Sequence, residues 1–253
     1  MSRAALLLAA VACGAPGKPS AVHGDWSTPV APYKITDRVS YVGAKHISAF
    51  LITTSAGNIL IDSGTTEMEA GIRANIAALG EKLGETKILL CTHAHYDHVG
   101  NHAALQRATG AKVMVMRGDA EALASGIDRS PLHGEGWAPV HVDRVLDDHD
   151  RVELGDVSLE AIAAPGHTPG CTVWLIDQKI AIYGCARPND EAELTPALVA
   201  TTRATFAKLR ALSPEIALVT HPDDAAELLH PRPWQALLDE AEADFNARLA
   251  ARR

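Results

Sequence analysis

The sequence predicts an α/β fold in one large domain, and three observations predict it. Short β-branched and apolar runs alternate with helical patterns, which indicates a sheet with crossover helices. The two halves of the chain each run strands, then helix, then strand, which points to a duplicated architecture rather than two domains. The 253 residues are 47% hydrophobic and 21% charged, enough to bury a sizeable core without disulfides. Aromatic residues make up only 4%, so Ala, Val, Ile and Leu have to fill most of that core.

The N-terminus reads as an export signal over residues 1–13. Arg3 is followed by the apolar run Ala4 to Ala12 and then by small residues. Ala10-Val11-Ala12-Cys13 resembles a bacterial lipoprotein cleavage site, which would make Cys13 a lipid anchor. Ala10 stands where such sites usually carry Leu, so an ordinary cleavable signal stays open beside it. Either signal implies a periplasmic or exported protein, the second one membrane-anchored. Residues 14–32, rich in Pro, Gly, Ser and Ala, form an extended lead-in, and residues 33–253 the domain itself.

Within the domain, Val39–Val42, Ile47–Thr53 and Asn58–Ile61 read as strands, with Ser55-Ala56-Gly57 as a turn and Asp62-Ser63-Gly64 ending the run. A helix is expected over Glu67–Leu83, since Ile72, Ile76 and Leu79 share a face. Lys87–Cys91 is a strand, Thr92–His98 the loop at its end, and Asn101–Thr109 a helix closed by Gly110. Lys112–Met116 is a strand and Asp119–Ala124 a short helix. Gly126–Val140 has no periodicity, and a loop that long is often functional. Val152–Leu154 and Val157–Ala163 turn around Gly155-Asp156. Thr172–Ile176 and Lys179–Tyr183 turn around Asp177-Gln178. Pro196–Ala211 is a helix with Thr195 as N-cap and Pro196 at its first position. Ile216–Thr220 is a strand and Pro233–Ala250 a terminal helix.

The formal net charge of -8, with no basic tail or stripe, argues against a nucleic-acid partner. Cys13, Cys91, Cys171 and Cys185 are too widely spaced for a disulfide framework. Cys91 and Cys171 read as structural.

The chemistry is carried by Cys91-Thr92-His93-Ala94-His95-Tyr96-Asp97-His98-Val99-Gly100. Three histidines and one carboxylate fall within six consecutive positions. In an extended segment residues two apart point the same way, so His93 and His95 can grip one metal. Asp97 and His98 lie where the chain turns into the next helix and can face a second metal. These donors suit Zn²⁺. Solvated loop histidines are the plain alternative, but such a cluster at the end of an apolar strand would repel itself if protonated and buried. His167 in Pro165-Gly166-His167-Thr168-Pro169-Gly170 and His221 in Thr220-His221-Pro222 also sit at strand ends and complete the set. His102 reads as a helix-surface residue. His23, His46, His141, His149 and His230 read as exposed, and His133 falls in the long loop.

These motifs resemble the metallo-β-lactamase superfamily over nearly the whole chain after the signal. The Asp97-His98 pair, Pro165 to Trp174 and Tyr41-Val42-Gly43 look most like the third subclass of class B β-lactamases. The resemblance implies a four-layer αβ/βα sandwich of two mixed β-sheets flanked by helices, with the site along one edge between them. It implies two zinc ions per chain, one on His93, His95 and His167 and one on Asp97, His98 and His221. It implies an enzyme that hydrolyses the β-lactam ring of penicillins, cephalosporins and carbapenems by attack of a zinc-bound hydroxide, giving antibiotic resistance; a monomer is the separate expectation for its assembly. Asp97 would help orient that nucleophile. One stretch departs from the pattern. Cys185 and Arg187 stand where the third subclass usually has small hydroxyl residues, while the first subclass has a zinc-binding Cys at the matching place. Cys185 is either a spectator thiol near the site or an extra ligand. Arg187 either contacts the substrate carboxylate or lies on the surface.

Other functions remain on the same fold. Lactonases and thioester hydrolases of the glyoxalase II kind typically place a metal-bridging Asp where Cys185 stands. A non-catalytic zinc-binding protein would not need so complete a ligand set, and an RNA-processing nuclease fits poorly with the acidic charge.

Overall fold

The computed structural model describes residues 25–127, 136–189 and 192–252. The N-terminal segment read above as an export signal, with Cys13, the lead-in before Asp25, His23 and His133 lie outside the described residues.

Two sheets form the frame. The first has seven strands in chain order: β1 (Tyr33–Lys34), β2 (Val39–Tyr41), β3 (Phe50–Thr54), β4 (Gly57–Ile61), β5 (Thr86–Leu90), β6 (Lys112–Met116) and β7 (Arg144–Leu146). Pairing is antiparallel from β1 to β4 and parallel from β4 to β7. The second sheet holds β8 (Arg151–Leu154), β9 (Val157–Ala163), β10 (Thr172–Ile176), β11 (Ile180–Tyr183) and β12 (Ile216–Val219). It is antiparallel except for the β11–β12 pair. Among the described residues six α-helices accompany them: α1 (Glu69–Ala78), α2 (Tyr96–Val99), α3 (His102–Thr109), α4 (Ala120–Ser125), α5 (Pro196–Leu209) and α6 (Trp234–Ala251).

The layering follows from strand alternation. Successive side chains point to opposite faces of a sheet, and here both faces are buried. Phe50, Ile52, Ile59 and Ile61 face the second sheet and pack with Trp174, Ile182 and Leu218. Their neighbours Leu51 and Leu60 face outward against Ile72 and Ile76 of α1, Leu105 of α3 and Leu123 of α4. On the far side, Val173, Leu175, Ala181 and Ala217 pack against Phe206 and Leu209 of α5 and Leu238 and Phe245 of α6. The order is therefore helices, sheet, sheet, helices. The duplication is visible as well: β4 leads through α1 to parallel β5, and β11 leads through α5 to parallel β12.

Thr195 caps α5 as expected, its hydroxyl accepting the Leu198 N–H at 3.2 Å. The helix expected over Glu67–Leu83 is shorter. Gly80, at φ +82°, closes it, and the N–H groups of Gly80 and Glu81 turn back to Ala77 and Ile76 carbonyls. Leu83 continues the apolar pattern from a separate 3₁₀ turn, Leu83–Glu85. Strands β1 and β7, of two and three residues, are too short to leave a periodic signal. The loop expected over Thr92–His98 already contains the first turn of α2. In the long segment after α4, Trp137 is core rather than rim. It is 8% exposed and its indole N–H donates to the Leu123 carbonyl at 3.2 Å.

Candidate metal centre

Every predicted ligand sits just past the C-terminal end of a strand. His93, His95, Asp97 and His98 follow β5, His167 lies between β9 and β10, and His221 follows β12. Backbone bonds stitch the two sheets together at this edge. Thr172 donates to the Thr92 carbonyl at 2.8 Å, and Ser48 to the Thr220 carbonyl at 2.9 Å. Ligands far apart in sequence therefore converge.

They converge as two groups. His93, His95 and His167 each offer a donor atom within 4.8 Å of the others, and so do Asp97, His98 and His221. In the first group the three ring centroids are 4.7 Å apart in each pairing. In the second, His98 Nε2 lies 3.0 Å from His221 Nε2, and Asp97 Oδ2 is 3.4 Å from the former and 3.2 Å from the latter. The His93 and His98 rings, 3.9 Å between centroids, join the groups side by side. His93 Nε2 and His167 Nδ1 are buried without a hydrogen-bond partner among the described residues. Leaving such a nitrogen unsatisfied costs about 1–3 kcal/mol. Clustered imidazoles and a carboxylate with orphaned nitrogens fit a divalent metal ion.

The electrostatics divide the same way. Burial holds His93 well below the usual imidazole range, and the neighbouring histidines push it further down. His167 is lowered by burial and then by His95. Both are thus neutral, the form in which imidazole binds a metal. In the second group, burial alone would lower His98, but the Asp97 and Asp62 carboxylates outweigh it and raise it to about 10. Burial likewise opposes ionisation of Asp97, yet His98 and His221 hold its carboxyl well below the usual range. That group is built to neutralise positive charge.

Two buried carboxylates behind the ligands were not singled out from sequence. Asp62, fully buried at the end of β4, has a left-handed backbone at φ 60°. Its oxygens accept from the Thr92 N–H and Thr92 hydroxyl, both at 2.7 Å, and from His98 Nδ1 at 2.9 Å. Asp62 therefore fixes the His98 tautomer and aims Nε2 at the second group. The available signal was Asp62-Ser63-Gly64 at a strand end, where Asp tolerates positive φ. Asp119 is buried near the first group, and burial raises its pKa against its hydrogen bonds to Ala94, Thr168 and Gly170.

His102 corrects the sequence reading. It is fully buried, not on a helix surface, because Nδ1 pairs with Ser63 Oγ at 2.7 Å. Burial drives its pKa from 6.5 down to about 4. The unfolded chain takes up that proton more readily. Neutral His102 thus contributes stability that is complete above about pH 6.5 and lost as the pH falls through about 4. Between those limits the effect is about 3 kcal/mol. Urea unfolding of metal-free wild type and His102→Gln at pH 7 and pH 4 should show the wild type losing about that much more. Equal losses would reject this assignment.

Cys185 and Arg187 lie beside the second group rather than in it. Neither metal-type group includes Cys185, whose thiol donates to the Arg187 carbonyl at 3.4 Å. Both residues line a groove of about 670 Å³ with His221 and residues of α6. Arg187 Nε is 2.8 Å from the Asp244 carboxylate. His46 is part-buried, with Nδ1 3.3 Å from the Pro222 carbonyl, whereas His141, His149 and His230 are exposed. Cys91 and Cys171 are buried thiols, as expected.

With this geometry in hand, comparison with known proteins is decisive at the level of family. The model described as the metallo-beta-lactamase superfamily matches residues 42–246. The chain belongs to that superfamily. It is a metallo-hydrolase by family, with a site for a divalent metal. Its structural neighbours are subclass B3 metallo-beta-lactamases. BJP-1 of Bradyrhizobium japonicum is 32% identical with a TM-score of 0.80, covering 90% of this chain and 97% of that one. The class B3 di-zinc metallo-beta-lactamase LRA-12, from an Alaskan soil metagenome, is 31% identical at a TM-score of 0.80, covering 92% and 99%. Among curated sequences, the hydroxyacylglutathione hydrolase of Rhodospirillum rubrum is 32% identical over 121 residues. That match spans 44% of this chain but only 41% of the relative.

Proposed function

We propose that this superfamily member is a di-zinc β-lactamase that opens the β-lactam ring of penicillins, cephalosporins and carbapenems and so confers antibiotic resistance. One observation carries the reading. A three-histidine group stands beside an Asp97–His98–His221 group in a chain that matches subclass B3 structures over nearly their whole length.

His93, His95 and His167 would hold one zinc, and Asp97, His98 and His221 the other. Zinc supplies Lewis acidity toward a carbonyl and a nucleophile at neutral pH. The protein's own contribution is arrangement. Asp62 keeps His98 Nε2 turned inward, and Asp97 presents Oδ2 beside both second-group imidazoles, where it can orient the attacking water. The groove lined by Cys185, Arg187 and His221 lies within the range of small-molecule sites. Arg187 is the candidate contact for the substrate carboxylate, in competition with Asp244.

Thioester hydrolysis is the second reading, favoured by the hydroxyacylglutathione hydrolase relative. Against it, the two groups share no carboxylate, and Cys185 stands where those enzymes carry a bridging Asp. The test is a panel on zinc-loaded protein: a penicillin, a cephalosporin, a carbapenem, a homoserine lactone and a glutathione thioester. The β-lactams should give kcat/KM values at least about a hundredfold above the other two, a gap of about 2.7 kcal/mol in barrier. The reverse order would establish the second reading.

A further inference from the structure

Asp119 occupies the N-cap position of α4, where an aspartate ordinarily bonds to the helix's own N–H groups. It makes no such bond. The side chain reaches instead into two segments that carry ligands of the first group. Oδ2 accepts the N–H of Ala94, between His93 and His95, at 2.8 Å. The same oxygen accepts the hydroxyl of Thr168, next to His167, at 2.8 Å. Oδ1 accepts the N–H of Gly170 at 2.8 Å. The partners lie 25, 49 and 51 positions away in sequence, and Asp119 is 2% exposed.

The approach is close enough to dictate residue type. A Cβ on Gly170 would sit 2.5 Å from Asp119 Cγ, and one on Gly118 would sit 2.3 Å from the Pro169 carbonyl. Both glycines let the segments meet at backbone distance. A carboxylate accepting three hydrogen bonds in a buried site is a strong tie, because each bond is charge-assisted and shielded from water.

We propose that Asp119 is a positioning residue that clamps the two segments bearing His93, His95 and His167 and thereby sets the metal affinity of that group. The proposal rests on the reading of that group as a metal site. The second group has its own orienting carboxylate in Asp62, so the effect of Asp119 is confined to the first. Partners that orient ligands typically account for 10–100-fold in metal affinity.

The test uses zinc alone, titrated against a chromophoric chelator. A His221→Ala background isolates the first group and a His167→Ala background the second. Asp119→Asn keeps the shape but places an amide N–H₂ against the donors. It should weaken zinc binding about 10–100-fold in the first background, and leave the second unchanged. Thr168→Val, which removes one of three bonds with little change of shape, should give a smaller loss of the same selectivity. That variant carries the test if Asp119→Asn does not fold. Equal weakening in both backgrounds would make Asp119 a general fold residue and overturn the proposal. Unchanged affinity would overturn it too. No zinc binding by the His221→Ala parent would overturn the metal reading of the first group, and the proposal with it.

Discussion

Removing the metal should abolish hydrolysis while leaving the protein folded. Dialysis against a chelator should lower kcat/KM at least about a thousandfold, and added zinc should restore it. A loss of that size corresponds to about 4 kcal/mol of barrier, well within what metal-ion catalysis supplies. The fold should survive because its three apolar clusters contain none of the ligand histidines. Burial and the neighbouring histidines hold His93 and His167 well below the usual imidazole range, so the folded chain already favours the form that binds an ion. The far-UV spectrum should therefore change little. The melting temperature should fall, since an ion present at a thousand times its Kd stabilises by about 4 kcal/mol. For a chain of this size that is roughly 8–16 °C. Metal-free protein with full activity would end the metallo-hydrolase reading of this site. Collapse of the far-UV spectrum would instead show a fold that depends on its metal.

The ligands were legible in the sequence because their chemistry is compressed. His93, His95, Asp97 and His98 lie in one short run after an apolar strand, and His167 and His221 mark two more strand ends. The core strands were legible for a related reason: residues buried on both faces read as continuous apolar runs, as in residues 50–52 of β3 and 173–176 of β10. What orients the ligands was not legible. Asp62 looks like a turn residue and Asp119 like a helix cap, and only the convergence of distant segments gives either one a second role. His102 misled in the opposite direction. A histidine opening a polar-looking helix suggests exposure, but its partner Ser63 lies 39 positions earlier on another strand end. Such pairings are tertiary, and no local pattern encodes them. The early stop of α1 is local, by contrast: Gly80 marks it, and the apolar spacing that continues to Leu83 obscured it.

The second large effect is expected at Asp97. Replacing it with Ala should lower kcat by at least about a thousandfold, with a much smaller change in stability. Positioned acid–base groups contribute about 10²–10⁴-fold, and here a ligand is lost as well. The second group would keep only His98 and His221, whose Nε2 atoms lie 3.0 Å apart, and would have no carboxylate to offset the charge of a bound ion. Stability should change less because His98, the buried partner, is not left alone. Its Nδ1 keeps the Asp62 carboxylate at 2.9 Å, so the cost of stranding a buried charge is avoided. His221, with a side chain 38% exposed, can be solvated. Asp97→Asn separates the two roles. It retains the shape and one oxygen but not the charge, and should lose metal at the second group before it loses fold. Measuring zinc content, melting temperature and kcat on the same samples decides the matter. Either variant keeping near-normal kcat with both ions bound would remove Asp97 from the reaction. A drop in melting temperature large enough to unfold the protein at assay temperature would mean that Asp97 acts first on the fold.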